Sequence, residues 1–199
     1  MLALLLKRRG WRLLKKTKNA FISYLKERNI YFFEDFLEGT SRITMLFGGF
    51  FNSPSEKIES CIYFYGESTL EIRVYYAEPG PQIVKTSEYQ SELYRLINFV
   101  NARVFTRNMD GAGNTLYRPS YLVQPRIYIS EDGCYDITAT IVMEEDFFKL
   151  APLEIEDFVT IGLPTLLEEL APYFFGVLLG NVTSELAIQY IKKNLLREN

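Results

Sequence analysis

Residues 87–104, SEYQSELYRLINFVNARV, constrain what this chain can fold into more than any other stretch. Tyr89, Leu93, Ile97, Val100 and Val104 recur at spacings of four, four, three and four, which lines them up as one apolar stripe on a helix. Ser87 followed by Gln90 reads as a capping box that starts this helix. Three strand-like runs precede it and two follow. A helix with one long apolar stripe between two sets of strands is expected to cover a sheet. The predicted fold is therefore α+β: an antiparallel sheet of about five strands, in the order helix, three strands, helix, two strands, helix, covered by helices and extended by a further C-terminal helix.

The strands are legible to different degrees. Residues 69–76 alternate cleanly, with Leu70, Ile72, Val74 and Tyr76 on one face and Glu71, Arg73 and Tyr75 on the other. In the preceding run, Ile62 and Phe64 join the core face and leave Tyr63 and Tyr65 outside. Residues 135–143 alternate in the same way, with Thr138 and Thr140 outward. Residues 41–51 form another strand, in which Gly48-Gly49 reads as a bulge or bend. Residues 121–129 carry Pro125, which places that run at a sheet edge or at a bulge. The sequence SEDG at 130–133 is a hairpin turn signal. The aromatic run 30–37 has no period that separates strand from helix. Toward the C-terminus, Pro164 and Pro172 predict kinks in a long apolar helix. Gly180-Asn181 predicts its stop, and Thr183 or Ser184 caps the final helix.

The net charge of −3 conceals two unlike parts. Residues 1–29 hold nine basic residues and one acidic, a net of +8, and the remainder carries −11. Residues 1–16 read as a basic arm and 17–199 as a single α+β domain. Lys7, Arg8, Arg9, Trp11, Arg12, Lys15 and Lys16, interleaved with leucines, suit an acidic membrane surface. The competing reading lays this basic head against the chain's own acidic body. The apolar run at 2–6 is too short for a signal peptide or a membrane span. Cys61 and Cys134 both fall in or beside strand-like runs and are expected as free thiols in a reducing, cytoplasmic setting.

The chain has no histidine. That removes the usual general base, the Ser-His and Cys-His nucleophile pairs and most zinc sites. No phosphate-cradle or nucleophile-elbow motif is present. The carboxylates at 144–146 sit where a helix N-terminus attracts negative charge, so no metal and no cofactor is predicted. The aromatic strands lack an RNP pattern and the body is acidic, so no nucleic acid is predicted as a partner.

Three segments carry a family likeness: the helix ending LINFVNARVF, the stretch PRIYISEDGCYDITATIVMEEDF, and the late helix ending APYFFGVLLG. Over roughly residues 17–180 the chain resembles the YbjN family, which is related in fold to type III secretion chaperones. The basic arm, the loop at 106–118 and the extra C-terminal helix depart from that pattern. The resemblance implies a bacterial, non-enzymatic, chaperone-like or regulatory protein, often dimeric, and carries over no catalytic residue. The expected working surface is the outer sheet face, Tyr63, Tyr65, Glu71, Arg73, Tyr75, Thr138 and Thr140, binding a polypeptide partner or a second copy of the chain.

Overall fold

The computed structural model describes residues 16–37, 39–66, 68–104, 108–109, 115–116, 124–130 and 133–198. The basic positions Lys7 to Lys15, most of the 106–118 loop, residues 121–123 and the centre of the SEDG turn lie outside the described residues.

Helix α1 covers residues 16–27 and buries Phe21, Tyr24 and Leu25. It stops at Asn29, whose φ of 55° turns the chain left-handed. β1 (Phe32–Leu37), β2 (Thr40–Gly48), β3 (Lys57–Tyr65) and β4 (Thr69–Tyr76) then form an antiparallel meander. Two short helical turns' worth of chain follow as α2 (Gly80–Thr86), and the central helix is α3 (Gln90–Arg103). A two-residue ladder pairs β5 (Asn108–Met109) with β6 (Thr115–Leu116). β7 (Arg126–Ile129) and β8 (Ile137–Glu144) complete the main sheet. Its order is β1-β2-β3-β4-β8-β7, antiparallel throughout, so six strands stand where about five were expected. The additional one is β1, the aromatic run whose period decided nothing.

All the core-building helices lie on one side of this sheet. Ile43, Met45, Ile58, Ile62, Ile72, Val74, Ile137 and Ala139 face them and are buried. The C-terminal third supplies α4 (Glu145–Leu150), α5 (Pro152–Asp157), a π-helical turn (Phe158–Gly162), α6 (Leu163–Leu178) and α7 (Ser184–Asn194). The predicted kinks take a different form. Pro164 follows directly on the π turn, within backbone that stays helical from Gly162 into α6, and α6 runs on through Pro172. The irregularity falls instead at the π turn. There the Ser60 hydroxyl of β3 donates to the Val159 carbonyl (3.3 Å), and Tyr24 of α1 bonds both Asp157 (2.7 Å) and Thr160 (3.0 Å). By length and composition the stretch Pro152–Leu178 is apolar enough to cross a membrane. Its buried Leu163, Leu167, Leu170 and Phe174, all at 0 % exposure, mark it as the helix the sheet packs on.

The capping box at Ser87 and Gln90 does not form. α3 opens at Gln90 without a side-chain cap, and the Ser87 backbone N–H closes α2 by bonding Ile83 and Val84 carbonyls. The Ser87 hydroxyl reaches the Leu178 carbonyl (2.6 Å), and the Gln90 amide reaches the Val84 carbonyl (2.7 Å). Both side chains tie helix ends together. Within the predicted stripe Leu93, Ile97 and Val100 are buried along with Leu96, whereas Tyr89 is exposed. Gly48-Gly49 ends β2 instead of bulging it, with Gly49 at φ 88°. At the other end of the chain Thr183 caps α7 by accepting from the Leu186 N–H (3.3 Å), as anticipated.

α3 also closes one edge of the sheet. The Asn101 side chain donates to the Ile127 carbonyl and accepts from the Ile127 N–H, both at 2.8 Å, and so takes the place of a neighbouring strand along β7. Asn101→Ala is expected to lose about 1–2 kcal/mol through these two orphaned backbone groups. Hydrogen exchange would show the change as faster exchange confined to β7, and unchanged β7 protection would contradict it.

Candidate interaction face

The sheet face away from the helices is built from cross-strand rows fixed by register. One row runs Asp35, Arg42, Tyr63, Glu71. The next runs Thr44, Cys61, Arg73, Thr140. A third runs Leu46, Glu59, Tyr75, Thr138, Tyr128. The residues predicted for this face are thus brought side by side: Tyr63, Glu71, Arg73, Tyr75, Thr138 and Thr140 in these rows, and Tyr65 opposite Thr69 at the end.

The face is more tightly paired than alternation alone conveys. Arg42 makes a two-armed contact with Asp35 and reaches the Tyr63 hydroxyl (3.4 Å). Arg73 grips Glu71 with two hydrogen bonds of 2.9 and 3.0 Å. Its guanidinium also lies 4.8 Å from the Tyr63 ring centroid. Tyr63 and Tyr65 stack at 5.9 Å with their rings 9° apart. The Thr140 hydroxyl has Glu71 within 3.3 Å and the Ile72 carbonyl at 3.0 Å. Tyr75 donates to Glu59, and the Cys61 thiol lies 3.4 Å from the hydroxyls of both Tyr75 and Thr44.

This packing corrects one expectation. Tyr63 and Thr138 point outward but are only 5 % and 3 % exposed, the Tyr63 ring lying among Tyr65, Arg42 and Arg73. Cys61, on the same face, is wholly buried. Tyr65, Glu71, Arg73, Tyr75 and Thr140 remain partly exposed and form the accessible part of the face. Arg42, Asp35 and Glu59 were not singled out from the sequence, although the alternation of β2 and β3 places Arg42 and Glu59 on this side; Asp35 joins them through the β1–β2 register.

The electrostatics describe a face of fixed, satisfied groups. The Arg42 guanidinium holds the Asp35 carboxyl below the usual carboxylate range. Burial, reinforced by the Glu71 carboxylate, pushes Tyr65 up to about 12. Desolvation raises Tyr75, with the Cys61 and Glu59 groups adding to it, and desolvation likewise raises Cys61. A thiol and a phenol held in their protonated forms at neutral pH are poor nucleophiles and poor proton acceptors. Where β4 runs into α2, the face ends in an open cleft of about 350 Å³ lined by Glu59, Tyr75, Glu78, Lys85, Cys134 and Asp136. Both cysteines are free, Cys61 buried and Cys134 exposed. Among the described residues, no group of three or more Asp, Glu or Cys side chains is placed to hold a metal ion.

No family model, curated protein or solved structure matches this chain. Its reading therefore rests on its own residues. Of the basic positions considered for a membrane surface, only Lys16 is described, exposed in the first turn of α1.

Proposed function

We propose that this chain is a non-catalytic protein-interaction module, chaperone-like or regulatory, that binds a polypeptide through the helix-free face of its sheet. The observation that supports this is the set of partly exposed Tyr65, Arg73 and Tyr75 on a face that, among the described residues, no core helix packs on. Tyrosine and arginine are the side chains enriched at protein interfaces. Because their partners within the chain already fix their rotamers, little side-chain entropy is lost on docking. The YbjN-like pattern of strand, Asp-Gly turn, strand and aromatic-rich helix favours the same reading, as a bacterial, cytoplasmic, chaperone-like protein needing no cofactor. The second reading, a peripheral membrane-surface adaptor acting through Lys7, Arg8, Arg9, Trp11, Arg12, Lys15 and Lys16, has the +8 charge of residues 1–29 in its favour.

Affinity capture from the host lysate should recover one polypeptide near stoichiometry. Tyr65→Glu and Tyr75→Glu should each weaken that capture at least tenfold, roughly the 1.4 kcal/mol of one good contact. Thermal unfolding of each variant separates lost binding from lost folding. Capture that survives both changes in folded protein would move the binding surface elsewhere.

A further inference from the structure

The chain treats the two edges of its sheet oppositely. Along β7, the Asn101 amide occupies the N–H and C=O that a further strand would use. Among the described residues β1 has no such cover. Only residues 38 and 39 separate Leu37 from Thr40, so this closing pair of the β1–β2 hairpin exchanges both of its backbone hydrogen bonds. Alternation then turns the N–H and C=O groups of Phe32, Glu34 and Phe36 away from β2, along the free edge. Among the described residues nothing bonds to them. The side chains on both flanks of this strand are large, apolar and open to solvent: Phe33 is 45 %, Phe36 75 % and Leu37 44 % exposed, with Tyr31 at 79 % just before them. An open edge with exposed aromatics is a template for another strand, and proteins ordinarily block such an edge with lysine, proline or a covering element. β1, FFEDFL, has none of these within it.

We propose that β1 pairs antiparallel with β1 of a second copy of the chain about a two-fold axis, joining two six-stranded sheets into one. Keeping both helix layers on one side requires that open-face residues meet open-face residues. Asp35 opposite its own counterpart satisfies this, and it brings Phe33 against Leu37 of the other copy twice over, beside the exposed Leu46. Two acidic strand centres would normally repel. Here the charges are already answered within each copy: Arg42 embraces Asp35, and Lys18 pairs with Glu34 at 2.7 Å while lying over the Phe36 ring. The alternative register sets Glu34 against itself and Phe33 against Asp35, so it forfeits the apolar match on the open face. The same self-complementary patch on both partners is what a closed two-fold dimer needs. This inference does not rest on the peptide-binding reading of the open face, which the Tyr65 and Tyr75 variants test separately.

The interface is small, so the test is sedimentation equilibrium of the full chain at concentrations on the order of 100 µM. A dimer is expected. Glu34→Pro should abolish it, since that N–H points away from β2 and its loss leaves the β1–β2 ladder intact. Phe33→Lys, which leaves the backbone untouched, should also abolish it and decides the matter where the proline variant fails to fold. In the dimer the two Asp35 Cα atoms stand about 4.5 Å apart, within disulfide range. Asp35→Cys in a Cys134→Ser background should therefore crosslink on mild oxidation, whereas Leu37→Cys should not. A monomer at this concentration, whether the edge is then covered by another part of the chain or by a foreign peptide, overturns the proposal. So does a dimer indifferent to both edge variants, or one that Asp35→Cys fails to crosslink.

Discussion

Replacing Tyr76 with alanine is expected to lower the free energy of unfolding by about 4 kcal/mol, the upper part of the range for emptying a buried aromatic site. Tyr76 joins the sheet to its main covering helix. It is 1 % exposed, its hydroxyl donates to the Leu167 carbonyl of α6 at 2.5 Å, and its ring meets Phe175 edge-on at 4.9 Å and 77°. Relaxation around the gap is limited, because Gly80 already approaches so closely that a Cβ there would stand 2.9 Å from the Tyr76 Cβ. Tyr76→Phe separates the contributions: it keeps the ring and removes only the hydrogen bond, at about 1 kcal/mol. A protein of this size has a total stability of roughly 5–15 kcal/mol, so the alanine variant should melt roughly 10–15 °C lower. Calorimetry of the two variants beside the parent decides it. Equal losses for alanine and phenylalanine would mean that the ring contributes nothing, contrary to the packing.

Glu156→Gln is expected to act in the opposite direction and to depend on pH. Glu156 is 4 % exposed in α5, and burial pushes its carboxyl from 4.5 up to about 7, with Asp157 and Glu27 adding to the rise and Arg28 opposing it. The folded state therefore keeps a proton that the unfolded state releases between about pH 4.5 and 7. Within that window the folded state binds more protons, so this residue's contribution to stability falls as pH rises and levels off above about 7. The full shift corresponds to about 3 kcal/mol at most. The glutamine variant should be more stable than the parent by about 2 kcal/mol at pH 8 and nearly equal to it at pH 4.5. Denaturant titrations at the two pH values measure the difference. A constant difference across that range would mean that Glu156 ionises normally in the folded chain.

Much of the framework was legible before any coordinates. The alternation in β4 and β8 assigned every core-facing side chain correctly, because an antiparallel sheet with one solvated face imposes a strict period of two. Gly180 and Thr183 ended or capped helices for the local reasons their chemistry gives. What could not be read depended on distant neighbours. β1 is aromatic on both faces, so it has no period to detect. Ser87 and Gln90 had the spacing of a capping box, but the Ser87 N–H is spent on the Ile83 and Val84 carbonyls and both side chains donate elsewhere, to Leu178 and Val84. The π turn at 158–162 was not read from the sequence, although Pro164 withholds an N–H just after it, and Tyr24 and Ser60 bond to it from elements far away in the chain. On the candidate face, alternation fixed which way Tyr63 and Thr138 point but not whether water reaches them. That depends on what stands around them in three dimensions, such as Arg42 directly across from Tyr63 and Tyr128 directly across from Thr138.

The strand order has a consequence for how the chain is made. β4 ends at Tyr76 and its other neighbour, β8, begins only at Ile137, while α6, which covers the inner face, is later still. A growing polypeptide thus presents a four-stranded meander whose inner face has Phe21 of α1 beside Ile62 and Ile72 but lacks its main cover until the last third has left the ribosome. Pairings so remote in sequence also close slowly. For that interval the nascent chain is an adhesive half-sheet, and its yield in a cell is governed less by the stability of the finished fold than by what keeps that surface company while it waits.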